Sequence, residues 1–225
     1  MSIECYYISG SPFAWRALLG LTFKGLDFKM IALQASEGEH KKPEYLALNP
    51  RGKVPVLKDG DTIIYESLAI LAYLDRQYPE KPLFGKNSGE AALIWQRTME
   101  LESYMLSRTG TLIRAVFRGM VEGNEDSLNE DIAAIKEELS NVSGWLAEAD
   151  YLAGNNISAA DISLYPTLAL FARVMGNVSN DKLDIDFVPI ADHFPAIAGW
   201  MARVEAMPGF GDVYPPHWKA QKAAE

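Results

Sequence analysis

The sequence predicts a small mixed α/β domain followed by an all-α domain. In residues 1–80, short β-rich stretches alternate with amphipathic ones in the order β-α-β-α-β-β-α. Residues 78–91 are rich in Pro, Gly and Lys, a composition typical of a linker. Beyond the linker no stretch has the alternation of a strand, and four stretches show helical periodicity: 90–121, 126–149, 158–175 and 192–206.

The first three elements predict a β-α-β unit. IECYYI (3–8) is short and β-rich, and DFKMIAL (27–33) alternates between two faces as a strand does. Between them, residues 11–25 carry apolar side chains near helical spacing and stop at Gly25. Two strands joined by such a helix are parallel, and the crossover between them is right-handed.

The next elements add two helical segments and a hairpin. PEYLAL (43–48) predicts one or two helical turns. VPVL (54–57) and TIIYE (62–66) flank an Asp-Gly pair at 59–60, which indicates an antiparallel hairpin. SLAILAYLDRQY (67–78) predicts a strongly apolar helix that the following proline ends. The result is a small mixed sheet with helices on both faces, which matches the thioredoxin-like plan.

These elements divide the chain into two domains. We expect a thioredoxin-like domain over residues 1–80, a linker over 81–89 and an all-α domain over 90–225. Within the all-α domain, Ser158 is followed three residues later by Asp161, which predicts a capping box at a helix start. This last feature is structural, and we expect no catalytic role for it.

Composition excludes several classes of protein. With 225 residues and 48% hydrophobic content, the chain is long enough for one large domain or two small ones. No apolar run approaches the ~20 residues of a membrane helix, and no export signal opens the sequence. The single cysteine, Cys5, allows no internal disulfide, which fits a reducing, cytoplasmic location.

Charge argues against nucleic acid or an anionic membrane as a partner. The formal net charge is −9, and the whole acidic excess lies beyond residue 85. The stretch 40–58 departs from this trend with six side chains: His40, Lys41, Lys42, Arg51, Lys53 and Lys58. Such a cluster is either a solvated loop or a local anion site. No His, Cys and Asp spacing predicts a metal site.

Pro55 stands inside an apolar, strand-like run. Proline cannot donate a ladder hydrogen bond, so it is a poor choice for the interior of a central strand. One explanation is that Val54 keeps its backbone free to bind something other than a neighbouring strand.

Four short motifs carry a resemblance to a known family: SP at 11–12, VP at 54–55, ES at 66–67 and SAAD at 158–161. Their order and spacing resemble those of glutathione transferases over essentially the whole chain. The closest pattern is the serine-type group, theta- and zeta-like, of bacterial-style cytosolic enzymes. The resemblance implies that glutathione is a co-substrate and binds to the first domain.

Ser11 matches the catalytic position of the serine-type enzymes. The resemblance implies that its hydroxyl donates a hydrogen bond to the glutathione thiolate. Ser11 is equally suited to cap a helix that has proline at its first position, and both roles are compatible. The alternatives for the thiolate donor are Ser9 and, as in tyrosine-type relatives, Tyr6 or Tyr7.

The resemblance also implies how Val54 and Pro55 act. The peptide bond between them is expected to be cis, which exposes the N–H and C=O of Val54 to the cysteinyl backbone of glutathione. An ordinary trans proline on an edge strand is the alternative.

The remaining glutathione contacts are implied at both ends of the tripeptide. Ser67 and the helix N-terminus behind it match the site of the γ-glutamyl carboxylate, and Glu66 matches the site of its ammonium group. His40, Lys41 and Lys53 match the positions that bind the glycyl carboxylate. Binding of the glycyl carboxylate would explain why the stretch 40–58 is basic.

The second substrate is expected to be a small electrophile that binds between the domains, against the long helix starting near residue 90. Tyr104, Arg108 and Phe117 are candidates from helical spacing. Packing within the bundle, or a dimer face, is an equal alternative for each.

The sequence therefore predicts a detoxifying glutathione transferase that is cytoplasmic and homodimeric and uses no metal. Two alternatives remain: a glutathione-dependent isomerase or dehalogenase, and a non-catalytic binding or assembly protein of the same fold. The zeta-like isomerases carry a cysteine just after their serine, and SPFAW (11–15) has none.

Overall fold

The chain folds into two compact units. The computed structural model describes residues 2–178 and 182–222. One unit comprises Met1–Leu83 together with Glu205–Glu225, and the other comprises Phe84–Val204. The first unit is therefore built from two separate parts of the sequence. The exact division predicted above, at residues 81–89, stays a prediction.

A four-stranded sheet forms the centre of the first unit. Its strands are β1 (Ile3–Tyr7), β2 (Phe28–Ala32), β3 (Val56–Asp59) and β4 (Thr62–Tyr65), in the spatial order β2-β1-β3-β4. β1 and β2 are parallel, whereas β3 is antiparallel to β1 and to β4. This is the mixed sheet that the sequence predicts, and the thioredoxin-like fold class is confirmed.

Three helices accompany the sheet: α1 (Pro12–Lys24), α2 (Pro43–Leu46) and α3 (Ser67–Gln77). α1 and α3 pack against each other, and a Cβ at Gly20 would collide with Leu71. Glycine at this position therefore lets the two helices approach closely. At the far end of the pair, the buried Lys24 ammonium donates to Asp75 at 3.3 Å and to the C=O of Tyr78 at 2.7 Å.

The second unit is entirely helical in its described residues. Its helices are α4 (Ser88–Glu100), α5 (Ser107–Phe117), α6 (Glu125–Glu148), α7 (Ala159–Met175), α8 (Ile190–His193) and most of α9 (Pro195–Glu205). α7 is the central helix and contacts α4 and α5. The single helix predicted over 90–121 is instead two helices joined by a π-helical turn, Leu101–Leu106. The all-α prediction is confirmed.

The start of α7 is the predicted capping box. Asp161 is fully buried, and its carboxylate accepts hydrogen bonds from the N–H and the hydroxyl of Ser158 at 2.8 and 2.7 Å. It also accepts from the N–H of Leu152 at 3.0 Å and from the indole of Trp200 at 2.8 Å. The box therefore joins three parts of the helical unit around one carboxylate.

Residues 210–219 belong to the first unit, although the sequence placed them with the helical domain. They include α10 (Phe210–Val213) and the start of α11 (Pro216–Lys222). Three of their aromatic rings surround Trp15 of α1: Phe210 at 5.8 Å, and Tyr214 and Trp218 both edge-on at 5.5 Å between centroids. Aromatic contacts of this kind stabilise beyond the apolar area that they bury. We call residues 210–219 the late segment.

Candidate active site

The sheet register brings the predicted site residues to one end of the first unit. Tyr6 at the end of β1 pairs with Val56 at the start of β3, and Val56 pairs with Tyr65 at the end of β4. The turn after β1, the loop before β3 and the start of α3 therefore share one sheet edge. The N-termini of α1 and α3 both lie there, and such termini favour negative charge.

Ser11 ends a tight turn and caps α1. Its N–H donates to the C=O of Ile8 at 3.1 Å, and Gly10 has φ +84°, as the third position of a type II turn requires. The Ser11 hydroxyl oxygen accepts from the N–H of Ala14 at 3.3 Å. The Ser11 hydroxyl donates to no acceptor in the described parts of the chain. Its proton can therefore be donated to a ligand.

The alternative thiolate donors have different surroundings. The Ser9 hydroxyl lies 3.1 Å from Nδ1 of His217. The Tyr6 hydroxyl donates to Glu4 at 3.0 Å, and burial, followed by that hydrogen bond, raises the pKa of Tyr6. A phenol held in this way donates its hydrogen bond to Glu4 and not to a ligand. Tyr7 lines a cavity beside Ser11.

The peptide bond between Val54 and Pro55 is cis, as the resemblance implied. The ladders of β3 begin at Val56, so within residues 2–178 and 182–222 the N–H and C=O of Val54 have no ladder partner. The residue before it is fixed: the C=O of Lys53 accepts from the Tyr45 hydroxyl and from Asn49 Nδ2, both at 2.7 Å. The backbone of Val54 is thus available to a ligand.

Glu66 and Ser67 form the start of α3. Glu66 is the cap and has φ +71°, a left-handed conformation that is uncommon for a residue with a side chain and marks functional sites. Ser67 is the first helical residue and not the cap. It is buried, and its hydroxyl oxygen accepts from Nη1 of Arg16 at 3.1 Å. This bond leaves the Ser67 proton available to a carboxylate at the helix N-terminus.

The three basic candidates differ in their contacts. Nδ1 of His40 is buried without a hydrogen-bond partner in the described chain. Lys41 donates to the C=O of Gly52 at 2.8 Å and more weakly to that of Arg51 at 3.4 Å. Lys53 is exposed. The exposed ammonium group of Lys53 is available to an anion, whereas Nδ1 of His40 is buried and Lys41 braces the loop before the cis bond.

A cavity of about 270 Å³ opens beside Ser11. Its lining includes the turn of residues 9–11 with Trp15, and residues 212–216 with Lys219 of the late segment. Apolar side chains such as Leu18 and Met30 line its interior. The site therefore includes part of the chain that the sequence had placed in the other domain.

The three second-substrate candidates lie in the helical unit. Tyr104 and Phe117 are exposed over 59% and 69% of their surface. Arg108 forms an ion pair with Asp131 of α6 at 2.7 Å, so its charge is already partnered. Their role stays a prediction.

Sequence reasoning missed two residues of the site. Arg16 contacts Ser67 across 51 residues, and His217 contacts Ser9 across 208. Apolar residues flank Arg16 in the sequence, which indicates that α1 is a packed helix. An arginine inside such a helix was a signal that could have pointed to its polar contact. Nothing in the sequence around His217 points to Ser9.

Three further features concern the cysteine, metal ligands and membrane-spanning helices. Burial raises the pKa of Cys5 to about 12, so its thiol stays protonated and unreactive. In the described residues, no group of three or more His, Cys, Asp or Glu could hold a metal ion. No helix in that part of the chain is long and apolar enough to cross a membrane.

Comparison with known proteins decides the family. Residues 10–77 match the glutathione S-transferase N-terminal domain, and residues 93–208 match the glutathione S-transferase C-terminal domain. The chain belongs to the glutathione S-transferase family. Its activity is that of a glutathione transferase, an enzyme of a family that uses glutathione as co-substrate.

Relatives of this transferase cover nearly its full length. It is 34% identical to glutathione S-transferase 1 of Dianthus caryophyllus, over 84% of this chain and 83% of that protein. It is 29% identical to glutathione S-transferase 4 of Zea mays, over 94% and 92%. The crystal structure of a glutathione S-transferase from the Antarctic clam Laternula elliptica superposes with a TM-score of 0.82, at 28% identity, over 97% and 94%.

Proposed function

We propose that this transferase joins the glutathione thiolate to a small electrophile, with Ser11 as the donor that stabilises the thiolate. The observation that carries the proposal is the free proton of Ser11. Its hydroxyl oxygen already accepts from the helix backbone, and no acceptor for its proton lies in the described chain. The positive end of α1 adds to the preference for a negative sulfur.

These two effects are large enough for the task. Lowering a thiol pKa by about two units requires roughly 2.7 kcal/mol of preference for the thiolate. One hydrogen bond to a charged group contributes about 1.5–3 kcal/mol, and a helix N-terminus contributes about 0.3–1 kcal/mol. No further cation is needed at the sulfur. Holding the thiolate next to the electrophile supplies the rest of the rate.

The rest of glutathione is proposed to follow the sheet edge. The N–H and C=O of Val54 pair with the cysteinyl backbone. Ser67, oriented by Arg16, and the N-terminus of α3 bind the γ-glutamyl carboxylate, and Glu66 binds the γ-glutamyl ammonium group.

The glycyl carboxylate is proposed to lie at the basic loop. His40 and Lys53 bind it, and Lys41 contributes mainly by bracing that loop. The two carboxylates of the tripeptide are therefore proposed to meet different kinds of donor, a helix N-terminus at one end and basic side chains at the other.

Assembly and location remain proposals too. We propose a cytoplasmic location and a homodimer. The homodimer is supported by large apolar side chains that each unit leaves exposed: Ile63 on β4, and Leu93 and Met99 on α4. The second-substrate roles of Tyr104, Arg108 and Phe117 stay predictions. So does the theta- or zeta-like, bacterial-style subclass, which the relatives do not favour, because many of them are plant enzymes.

Replacing Ser11 by glycine tests the thiolate assignment. Glycine is a tolerable helix cap but has no side-chain donor, so the variant should fold and still bind glutathione. We expect the pKa of the bound thiol, followed by thiolate absorbance, to rise by about one unit or more, with turnover falling roughly tenfold per unit at a pH well below that pKa. Calorimetry measures glutathione binding separately.

Three further variants complete this test. Ser158→Gly makes the same change at the cap of α7 and should leave the thiol titration unchanged. Tyr6→Phe and Tyr7→Phe examine the tyrosine alternatives. A normal titration in Ser11→Gly together with a raised thiol pKa in either phenylalanine variant would transfer the donor role to that tyrosine.

A further inference from the structure

The turn that presents Ser11 is held by a side chain from a distant part of the sequence. Ser9 is the second residue of this four-residue turn, and its hydroxyl lies 3.1 Å from Nδ1 of His217. Serine and a neutral imidazole can each donate in such a pair, so the hydrogen bond persists with either ring tautomer.

The imidazole also packs on the third residue of the turn. A Cβ built on Gly10 would lie 3.2 Å from both Cε1 and Nε2 of His217, closer than side chains normally approach. The φ of +84° favours glycine at this position, and a side chain there would also press against the imidazole. His217 contacts two consecutive residues of the turn and reaches Ser11 only through them.

His217 is itself fixed by its neighbours in the late segment. The next residue, Trp218, is buried and packs edge-on against Trp15 and Tyr214. Lys219 donates to the C=O of Gly211 at 2.7 Å, which closes the segment on itself. An exposed histidine next to a buried tryptophan is therefore held where it can brace the turn.

We propose that His217 is a positioning residue of the thiol site, which acts through Ser9 to hold the turn that aims the Ser11 hydroxyl at the thiolate. The proposal rests on the proposed function of Ser11. A catalytic group must stay close to its productive geometry, and a displacement of about 1 Å can lower a rate roughly a hundredfold. Because His217 is a single exposed contact, we expect its loss to lower the rate by only a small part of that hundredfold factor.

A double-mutant cycle tests the proposal in the full-length enzyme. In His217→Ala and in Ser9→Ala we expect the pKa of bound glutathione to rise by about half a unit, which lowers kcat about threefold when it is measured at a pH well below that pKa. The KM for glutathione should change less than about twofold, because the tripeptide's other contacts are intact. The double variant should lose about threefold and not ninefold, because both changes break one hydrogen bond.

Two more variants make the cycle specific. The amide of His217→Asn can take the place of Nδ1, so this variant should recover most of the lost kcat and restore the thiol pKa. His193→Ala changes an exposed histidine of the helical unit and should leave kcat and the thiol pKa unchanged.

The outcomes separate this proposal from the assignment of Ser11. Additive losses in the double variant, or a lower melting temperature with an unchanged thiol titration, would leave His217 a purely structural role and overturn the proposal. If the titration is raised in Ser11→Gly and unchanged in His217→Ala, only the positioning role fails. If Ser11→Gly itself titrates normally, the assignment of Ser11 fails first, and the role of His217 falls with it.

Discussion

Two helices of this protein begin with a serine cap, and the two serines are placed in opposite situations. α1 begins with SPFA and α7 with SAAD, so the sequences differ in the residue three positions after the cap. At α7, Asp161 occupies that position and accepts the Ser158 hydroxyl proton at 2.7 Å. At α1 the position is Ala14, which offers only its N–H, and the Ser11 proton stays available.

The difference shows how one local signal, a serine cap, can leave its hydroxyl proton bound in one place and available to a ligand in another. A reciprocal capping box satisfies the helix end and uses up the serine's donor. A cap that lacks the carboxylate satisfies fewer backbone groups of its own helix. It leaves the serine hydroxyl proton available to a ligand. The residue three positions after the serine therefore distinguishes a structural cap from the proposed catalytic one in this chain.

Removing the carboxylate of α7 should have the largest effect. Asp161→Ala gives α7 the same serine-to-alanine spacing as α1, but inside a core where four donors then lose their acceptor. Because each buried, unsatisfied group costs about 1–3 kcal/mol, we expect the free energy of unfolding to fall by at least about 3 kcal/mol. Urea denaturation measures this loss.

The matched control is Asp186→Ala, which removes an exposed carboxylate of the same unit that pairs on the surface with Lys136, and it should lower the free energy of unfolding by less than about 1 kcal/mol. A loss below about 1 kcal/mol in Asp161→Ala would show that the network around it reorganises, and the contrast between the caps would weaken.

A pair of glycine substitutions should separate the two caps by stability. Ser158→Gly removes a buried donor to Asp161 as well as the cap, and we expect it to lower the free energy of unfolding by about 1–2 kcal/mol. Ser11→Gly removes only a cap. We expect it to lower the free energy of unfolding by a few tenths of a kcal/mol, about the difference between serine and glycine at such positions. Equal losses in the two variants, measured by urea denaturation, would contradict the distinction.

The smallest effect expected is on the pH dependence of stability. Burial raises the pKa of Asp161, and the hydrogen bonds it accepts oppose the rise only in part. The folded chain therefore holds the extra proton above the ordinary Asp pKa of about 3.9. The associated stability is present below that pH and is lost as the pH rises through the raised folded value.

Asp161→Asn does not titrate, so it isolates this contribution. The free energy of unfolding of the wild type minus that of the variant should fall as the pH rises above about 4 and then level off. Urea midpoints at several pH values give the difference. A difference that grows with pH would indicate a lowered pKa and a carboxylate stabilised in its charged form.

Local patterns allowed most of the fold to be predicted. The strands, the hairpin at residues 59–60 and the capping box at Ser158 all depend on neighbours within a few positions. The π-helical turn Leu101–Leu106 was missed, because the residues on either side continue the same helical period. The short helices α10 and α11 were missed because four to seven residues give too little periodicity.

The candidate site was predictable only where it uses a helix start or a proline. Ser11 and Val54 were found in this way, and the resemblance of their spacing supplied their roles. The bond from Arg16 to Ser67, like that between Ser9 and His217, joins residues far apart in the sequence. Such contacts depend on tertiary packing, which periodicity and composition do not encode.

The discontinuous first unit has a consequence for the protein's synthesis. The ribosome makes Met1–Leu83, then the whole helical unit, and only then the late segment. A nascent chain that ends before Phe210 has its complete sheet and Ser11, but Trp15 lacks three aromatic neighbours and the turn lacks His217. Domains tend to fold in the order in which they emerge. The proposed thiol site is therefore completed only after the helical unit has been translated, and a chain interrupted before Phe210 lacks the contacts of the late segment.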